Sequence, residues 1–203
     1  MIEHPILFNT EMVNAILEGR KTMTRRVIKS QPSDVGAVKI HREQMRENEF
    51  YFSSNTGKIG IFTPQFVKCP YGPIGSKLWV KETWAASRLF DLMPPRDIPQ
   101  NADLFFKADG IGNWNNCARV RPSIFMPRWA SRVALEITNI RVEQVQDITD
   151  SDAIQEGVDR TNTSIPGYAV QRFKALWDSI NKKRGYGWDK NPWVWGVEFR
   201  RVE

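Results

Sequence analysis

The segment SRVALEITNIRVEQV, residues 131–145, alternates apolar and polar side chains. This alternation predicts that the fold contains β-structure. Successive side chains of a strand point to opposite faces, so Val133, Leu135 and Ile137 predict one buried face, which Ile140 continues after a break in the alternation. The segment is long enough for one bent strand or for two paired strands.

Two further segments have the same character. NPWVWGVEFRRV, near the end of the chain, predicts a closing strand, and GSKLWVKETW predicts another strand after a Gly/Pro turn. On the second strand Leu78, Val80, Glu82 and Trp84 share one face. Glu82 is therefore either an inward carboxylate that needs a Lys or Arg partner, or a solvated residue at the strand end.

Helical spacing of apolar residues predicts three helices. The first covers residues 10–18, with Asn9 or Thr10 as its cap and Gly19 as its end. The second lies in DITDSDAIQEGV and ends at Gly157, and the third covers residues 169–182. A strand should follow the first helix over residues 22–28.

These elements favour an α+β fold in a single domain spanning residues 1–203. Strands outnumber helices, and the helices lie at the edges of the pattern, which indicates a small β-barrel flanked by short helices. Two long segments, about 29–70 and 86–127, are rich in turn-forming residues and are interpreted as insertions. A hydrophobic fraction of 41% argues against disorder.

Several functional classes have no support in the sequence. There is no glycine-rich phosphate loop, so a nucleotide-driven reaction is not indicated and no cofactor is expected. Two cysteines and two histidines barely supply one zinc site, and no metal is expected. No segment resembles a signal peptide or a membrane span, and a cytoplasmic protein is expected. The net charge of +6 favours a polyanionic partner, although an ordinary basic surface has the same charge.

The stretch EGRKTMTRR, residues 18–26, lies where the first helix gives way to a strand. Threonine is a poor nucleophile unless a base lies within hydrogen-bonding reach. Lys21 can be that base for Thr24 only if burial or positive neighbours lower its pKa, and only if it lies in the turn before the strand. The residues alone favour a basic surface patch over such chemistry.

ILEGRKTMTRR resembles the motif of the ASCH domain family, whose members have a PUA-like β-barrel fold. The family pattern places a glycine, a lysine, a hydroxyl or acidic residue and an arginine at fixed spacing, and Gly19, Lys21, Thr24 and Arg26 match it in order. The GSKLWV strand, the long alternating strand, the DAIQEG helix and the closing strand follow in the family's order. The two insertions resemble those of a larger subgroup found in phage and prophage genomes.

Some bacterial members of this family are amidohydrolases that remove the acetyl group from N(4)-acetylcytidine. The resemblance implies Thr24 as the nucleophile, Lys21 as the group that activates it, and Glu156 as the residue that activates water or protonates the leaving amine. Arg26 would orient the substrate or the carboxylate, and Arg25 would assist in binding.

Other residues are weaker candidates for substrate contact. Trp84 and Trp129 either pack in the core or stack on a base. Glu82 is a candidate for substrate binding if it faces inward. Arg119, Arg121, Arg128 and Arg132 form either a phosphate-binding rim or a solvated face.

Family membership does not determine the activity, because other relatives are proposed RNA binders or ribonucleases. The partner is therefore expected to be a modified nucleoside or RNA. In the binding alternative, the same lysine and arginine side chains hold phosphates. In the nuclease alternative, Lys21 and Arg26 stabilise the transition state of phosphoryl transfer.

Overall fold

The alternating segment forms one bent strand rather than two. That strand, β9, spans Ala134–Gln144 in the computed structural model. The structure describes residues 3–31, 39–41, 49–53, 65–110, 119–159 and 165–202. β9 pairs antiparallel along its whole length with β10, Trp193–Val202, and the register shifts between Glu198 and Phe199. Such an irregularity bends a strand pair and increases its twist.

This strand pair belongs to a five-stranded mixed sheet. Its order is β1-β6-β9-β10-β2, with β1 at Glu3–Leu7, β2 at Met23–Val27 and β6 at Lys77–Lys81. β1 runs parallel to β6, and the other neighbouring pairs are antiparallel. β1 was not predicted, because a five-residue strand that contains Pro5 has little alternation to reveal it.

Three α-helices accompany the sheet in the described part of the chain: α1 at Thr10–Leu17, α2 at Asp150–Gln155 and α3 at Tyr168–Asn181. All three were predicted, and the fold is α+β as expected. Asn9 caps α1 by accepting a 2.8 Å hydrogen bond from the Met12 N–H. No helix in the described part of the chain is long and apolar enough to cross a lipid bilayer.

The sheet is open in the described residues, which differs from the closed small barrel expected from the sequence. β1 and β2 are its two edges, and no backbone ladder joins them in the described part of the chain. A side chain links them instead, since Arg26 Nη2 donates a 2.6 Å hydrogen bond to the Leu7 carbonyl. Closure of a barrel requires ladder hydrogen bonds between all neighbouring strands, and one guanidinium contact does not supply them.

The two predicted insertions contain short strands. The first holds a separate sheet of β3 (Lys39–His41), β4 (Glu49–Ser53) and β5 (Gln65–Lys68). The second holds β8 (Leu104–Phe106), which pairs with β7 (Trp84–Ala86). Parts of both insertions, residues 32–38, 42–48, 54–64 and 111–118, fall outside the described residues, and so do the turns and the charged stretch predicted there and Cys117.

The apolar stripe predicted on α3 has two surroundings. Phe173 and Trp177 are buried and pack with Trp188 against α2 and the sheet. The same two side chains also line a cavity between α3 and β2, together with Leu176 and Ile180. One helix therefore supplies both a core face and a cavity wall.

Gly157 allows the end of α2 to approach the turn after α1. It has a φ of +89°, and a Cβ atom there would lie 3.1 Å from Ala15 Cβ and 3.2 Å from Lys21 Cβ. Those distances are tight for carbon atoms, and the positive φ disfavours any side chain. Glycine is therefore the residue that this junction accommodates.

We expect Gly157→Ala to lower the free energy of unfolding by about 2 kcal/mol or more, from backbone strain together with overpacking. Gly19→Ala is the matched control, because Gly19 follows α1 as Gly157 follows α2, has a φ of +73° and leaves open space for a Cβ atom. The control should lose only about 1 kcal/mol. Urea unfolding measures both, and equal losses would contradict the packing argument.

Candidate functional site

Lys21 lies in the turn between α1 and β2, the position that the sequence argument required of it. The backbone N–H groups of Arg20 and Lys21 both donate to the Ala15 carbonyl, at 2.8 and 2.9 Å, which folds the turn back onto the helix. Thr22 N–H then donates to the Gln155 carbonyl at 2.9 Å. The end of α2 is thereby placed beside the turn, and Lys21 is 2% exposed.

The Lys21 ammonium is fully engaged by three acceptors. Its Nζ donates to the Met23 carbonyl at 2.8 Å, to the Glu156 carbonyl at 2.7 Å and to Glu156 Oε2 at 2.8 Å. An ammonium group has three N–H donors, so the arrangement suits the charged form of the side chain. Burial is the largest influence on its pKa and lowers it below 10.5; Arg26 and Arg25 act in the same direction, and Glu156 opposes them.

Glu156 is the residue that the family resemblance paired with Lys21, and the two side chains do meet. It follows α2 directly, is 4% exposed and lines the cavity. Its Oε2 atom contacts Lys21, whereas Oε1 lies 3.5 Å from Arg25 Nη1 and has no hydrogen-bond partner among the described residues. A buried acceptor left without a donor is energetically unfavourable by about 1–3 kcal/mol.

Arg25 joins three carboxylates beneath the cavity. Its Nη2 atom lies 2.7 Å from Glu143 Oε1 and 3.0 Å from Asp152 Oδ2, in addition to the contact with Glu156. The side chain has no exposure to solvent. Gly196 lies opposite Arg25 on β10, and a Cβ atom there would come within 3.0 Å of Glu143 Oε1. The glycine leaves space for the Glu143 carboxylate to reach Arg25.

Arg141 extends this ion-pair network toward the surface. Its Nη2 atom donates to Asp152 Oδ1 at 3.0 Å, and its Nε atom lies 3.3 Å from Glu198 Oε1. Burial raises the pKa of Glu143 above 4.5, and Asp152 raises it further, although Arg25 and Arg141 oppose both. The network therefore balances buried carboxylates against two guanidinium groups.

Sequence reasoning missed Glu143, Asp152 and Arg141. Asp152 lies in the first turn of α2 and accepts a 3.2 Å hydrogen bond from the Thr149 N–H, as a helix-capping residue does. Its carboxylate also binds Arg25 and Arg141. Arg141 and Glu143 are two residues apart on β9, so they share a face. A pair of opposite charges on the polar face of an alternating strand was the available signal.

A cavity of about 500 Å³ opens above this network. Thr24, which is 2% exposed, lines it together with Arg25, Arg26 and Glu156. Its aromatic walls are Phe66, Tyr71, Phe173, Trp177, Tyr186 and Trp195. The size and the apolar lining are typical of small-molecule sites. Lys21 is not part of the lining and lies behind Glu156.

Arg26 contributes an unsatisfied donor to the same cavity. Its Nη2 atom donates to the Leu7 carbonyl at 2.6 Å, and the guanidinium carbon lies 5.1 Å from the centre of the Phe8 ring. The Nε atom is buried and has no hydrogen-bond partner among the described residues. Among the described residues, the cavity lining thus includes two residues with an unpaired Nε donor, Arg25 and Arg26, and one with an unpaired acceptor, Glu156.

Glu82 and Trp84 lie elsewhere in the protein. Glu82 is 1% exposed and receives two hydrogen bonds from Arg132, at 2.9 and 3.2 Å, so it is the inward, paired carboxylate of the two alternatives. Trp84 has no exposure and packs edge-on against Trp129, with ring centres 6.2 Å apart. Neither residue lines the cavity, and the Trp84 ring has no free face for a base.

The arginines proposed as a phosphate rim mostly bind the protein itself. Arg121 is 4% exposed and donates to the Phe90 and Met93 carbonyls, and Arg128 pairs with Glu3 at 2.6 Å. Among the described residues, no group of three or more His, Cys, Asp or Glu is arranged to hold a metal ion. The lining of the cavity supplies a hydroxyl, a carboxylate and cationic side chains.

Comparisons with known proteins leave the family open. No family model matches the chain, and no curated protein matches it by sequence. A crystal structure of a protein from Enterococcus faecalis, described as family DUF984, is similar at a TM-score of 0.43 and 9% sequence identity. That match covers 100% of this chain and 82% of the other.

The buried carboxylates make stability depend on pH. Burial raises the pKa of Asp152, but the Thr149 N–H, the Arg141 hydrogen bond and the charges of Arg25 and Arg141 outweigh it and lower the pKa below 3.8. The unfolded chain then binds more protons than the folded one as the pH falls below that value. The stability contributed by Asp152 is therefore present above its unfolded pKa and is lost as the pH falls through its folded pKa.

Asp152→Asn should reduce the free energy of unfolding most above about pH 4, and the difference from wild type should shrink as the pH falls. Urea unfolding over a pH series measures this. Asp189→Asn is the control, because that side chain is 81% exposed and its ion pair with Lys174 spans 3.7 Å. A difference between Asp152→Asn and wild type that does not vary with pH would contradict the electrostatic account.

Proposed function

We propose that this protein is a hydrolase that removes the acyl group from the exocyclic amine of an acylated cytidine, with N(4)-acetylcytidine as the reference substrate. The observation that carries the proposal is the convergence of Thr24 and Glu156 on one cavity, with the Lys21 ammonium 2.8 Å from the Glu156 carboxylate. A hydroxyl, a carboxylate and a buried cation are the groups that the ASCH resemblance assigns to acyl transfer.

The contacts favour Glu156 as the proton acceptor. All three Lys21 donors are engaged, so its nitrogen has no lone pair to offer in this arrangement. Lys21 would therefore activate Thr24 through Glu156, by holding the carboxylate in place with a charge-assisted hydrogen bond. Glu156 Oε1 is the atom left without a donor among the described residues.

The reaction would proceed in two steps. Thr24 Oγ attacks the acyl carbon while its proton passes to Glu156, and the bond from that carbon to the cytidine amine breaks. Glu156 returns the proton to the leaving amine, and the acyl group remains as an ester of Thr24. Water then attacks the ester, Glu156 carries a proton from the water to Thr24 Oγ, and the carboxylic acid leaves.

Arg26 would stabilise the negative charge that develops on the acyl oxygen. Its unpaired Nε–H is a donor on a residue that lines the cavity, and an oxyanion is the acceptor that such a donor serves best. Arg26 Nε and Glu156 Oε1 are both covered by neighbouring atoms. Their engagement requires a small side-chain shift, as is common when a substrate binds.

A PUA-like ASCH architecture is part of the proposal. It is supported by the order of α1, β2, β6, β9, α2 and β10, which follows the order of the elements that carried the resemblance. It is further supported by the approach of the two sheet edges at Arg26 and Leu7.

Binding of RNA without hydrolysis is the second candidate, and the excess of cationic side chains around the cavity favours it. In that case the protein would bind acylated and unmodified nucleic acid alike, and affinity would fall steeply with salt. A ribonuclease using the same cations would instead release shorter RNA fragments. Assays for acid release, RNA binding and RNA cleavage separate the three.

Thr24→Ala should lower kcat for release of acetate and cytidine from N(4)-acetylcytidine by about a thousandfold or more, because the nucleophile is lost. Thr24→Ser is the matched control: it keeps the hydroxyl and should retain measurable turnover. Thermal unfolding of both variants checks that the fold is intact. Wild-type protein that releases no acid from any acylated cytidine would overturn the enzyme proposal, and full activity in Thr24→Ala would overturn the nucleophile assignment.

Glu156→Gln should lower kcat by about a hundredfold to ten-thousandfold, since the amide no longer accepts the proton. Glu198→Gln serves as its control, because Glu198 belongs to the same ion-pair network through Arg141 but does not line the cavity. The control should keep its activity. Equal losses in both variants would show that Glu156 matters only to structure.

A further inference from the structure

The charged residues that line the cavity are strongly unbalanced in sign. Among the described residues of the lining, one, Glu156, is anionic and five are cationic: Arg25, Arg26, Lys29, Lys68 and Arg184. Like charges gathered around one concave surface repel each other and create a local positive potential. An anionic ligand would relieve that repulsion.

Four of these cations fall into two groups. Arg25 is surrounded by carboxylates, and Arg26 is bound to the Leu7 carbonyl and lies over Phe8, so both are committed to the protein. Lys29 and Arg184 are exposed, and neither forms an ion pair with an Asp or Glu in the described part of the chain. Their charges remain available to a ligand at the mouth of the cavity.

Lys29 and Arg184 reach the mouth from different parts of the fold. Lys29 follows β2 by two residues, and so it continues the strand that carries Thr24. Arg184 belongs to the turn after α3, the helix that supplies the aromatic wall, and Tyr186 lies beside it in the lining. The arrangement places aromatic faces and the reactive groups inside and two cations at the entrance.

We propose that the ligand of this cavity carries a phosphate group, which Lys29 and Arg184 bind at the mouth while the base lies among the aromatic side chains. The inference rests on the proposed function for the reaction and adds its substrate class: an acylated cytidine nucleotide rather than the free nucleoside. Phosphate is the anion that arginine and lysine bind most effectively, and aromatic faces accept any base.

The volume limits how much of a nucleic acid enters. A cavity of about 500 Å³ is of the size that holds one small ligand. A mononucleotide would fit as a whole, whereas a strand would insert one unstacked nucleotide and leave the rest outside. Both ligands present the same phosphate to Lys29 and Arg184.

The test compares three substrates: N(4)-acetylcytidine, its 5′-monophosphate, and a short single-stranded RNA that contains one N(4)-acetylcytidine. The variant is the double substitution Lys29→Gln with Arg184→Gln. The matched control is Lys183→Gln with Lys190→Gln, which removes the same charge from two exposed residues outside the lining. KM and kcat are measured for each protein at low and high salt.

Wild type should bind the monophosphate with a KM about tenfold below that of the nucleoside, as expected for a phosphate held by two exposed cations. The Lys29/Arg184 variant should lose that advantage, and the control pair should keep it. A monophosphate KM far below that of the RNA identifies the free nucleotide as the substrate, and the reverse identifies a nucleotide within a strand. Equal KM for nucleoside and monophosphate in wild type, or equal losses in both double variants, would overturn the inference.

Calorimetry with the unmodified ligands separates this inference from the proposed reaction. Cytidine 5′-monophosphate and cytidine carry no acyl group, so their affinities report on phosphate recognition whether or not hydrolysis occurs. Tighter binding of the monophosphate that depends on Lys29 and Arg184 would support the phosphate site even if no acid is released. Equal affinities would refute it even if the protein hydrolyses N(4)-acetylcytidine.

Discussion

The buried ion pair between Lys21 and Glu156 is the contact on which the arrangement of the site depends. It joins the turn after α1 to the end of α2, across 135 residues of sequence. Burying two charges is unfavourable unless each finds partners, and here the lysine satisfies all of its donors within the pair and its immediate backbone. Loss of Glu156 would leave the Lys21 charge buried without a carboxylate, at a cost of about 3–5 kcal/mol, whereas loss of Lys21 would leave Glu156 with Arg25 as a cationic neighbour. Gly157 makes this contact possible, because any larger residue would hold the helix away from Lys21.

Arg25 holds Glu156, and with it the Lys21–Glu156 ion pair, in place through its own contacts with carboxylates. A single guanidinium with no solvent exposure contacts carboxylates from β9 and from both ends of α2, and so fixes the helix relative to the sheet. This ion-pair network holds Glu156 on the side away from the cavity and leaves Glu156 Oε1 without a hydrogen-bond partner among the described residues. Preorganised charges of this kind favour chemistry at the carboxylate, since little rearrangement is needed when a substrate arrives. The charges at the entrance are of a different kind, because Lys29 and Arg184 are exposed and bind no carboxylate in the described residues.

Local sequence patterns predicted the helices and strands well where the hydrophobic periodicity extended over many residues or a helix had a distinct capping residue. The long strand β9, the closing strand and all three helices are such cases. β1 was missed because it is short and contains Pro5, and the strands within the first insertion were missed because turn-forming residues surround them. The closed barrel was expected from the strand-rich pattern and from the resemblance, and the open order of the sheet in the described residues depends on long-range pairing that no local pattern encodes. Trp84 illustrates the same limit: its strand position was predicted, but its complete burial beneath Trp129 was not decided by its sequence.

The sequence by itself determined that Lys21 and Thr24 lie at a helix–strand junction, and resemblance to a family motif selected Glu156 as their partner. It also predicted that Glu82 shares a face with Leu78, Val80 and Trp84, although not which of two surroundings it has; in the structure Glu82 lies between β6 and β7. Only the tertiary structure decided that Glu156 reaches Lys21, that Arg25 is held by carboxylates, and that Thr24 and Glu156 line one cavity. The physical reason is the range of the interactions. Periodicity and capping act within a few residues, whereas ion pairs and cavities form between segments that only the folded chain brings together.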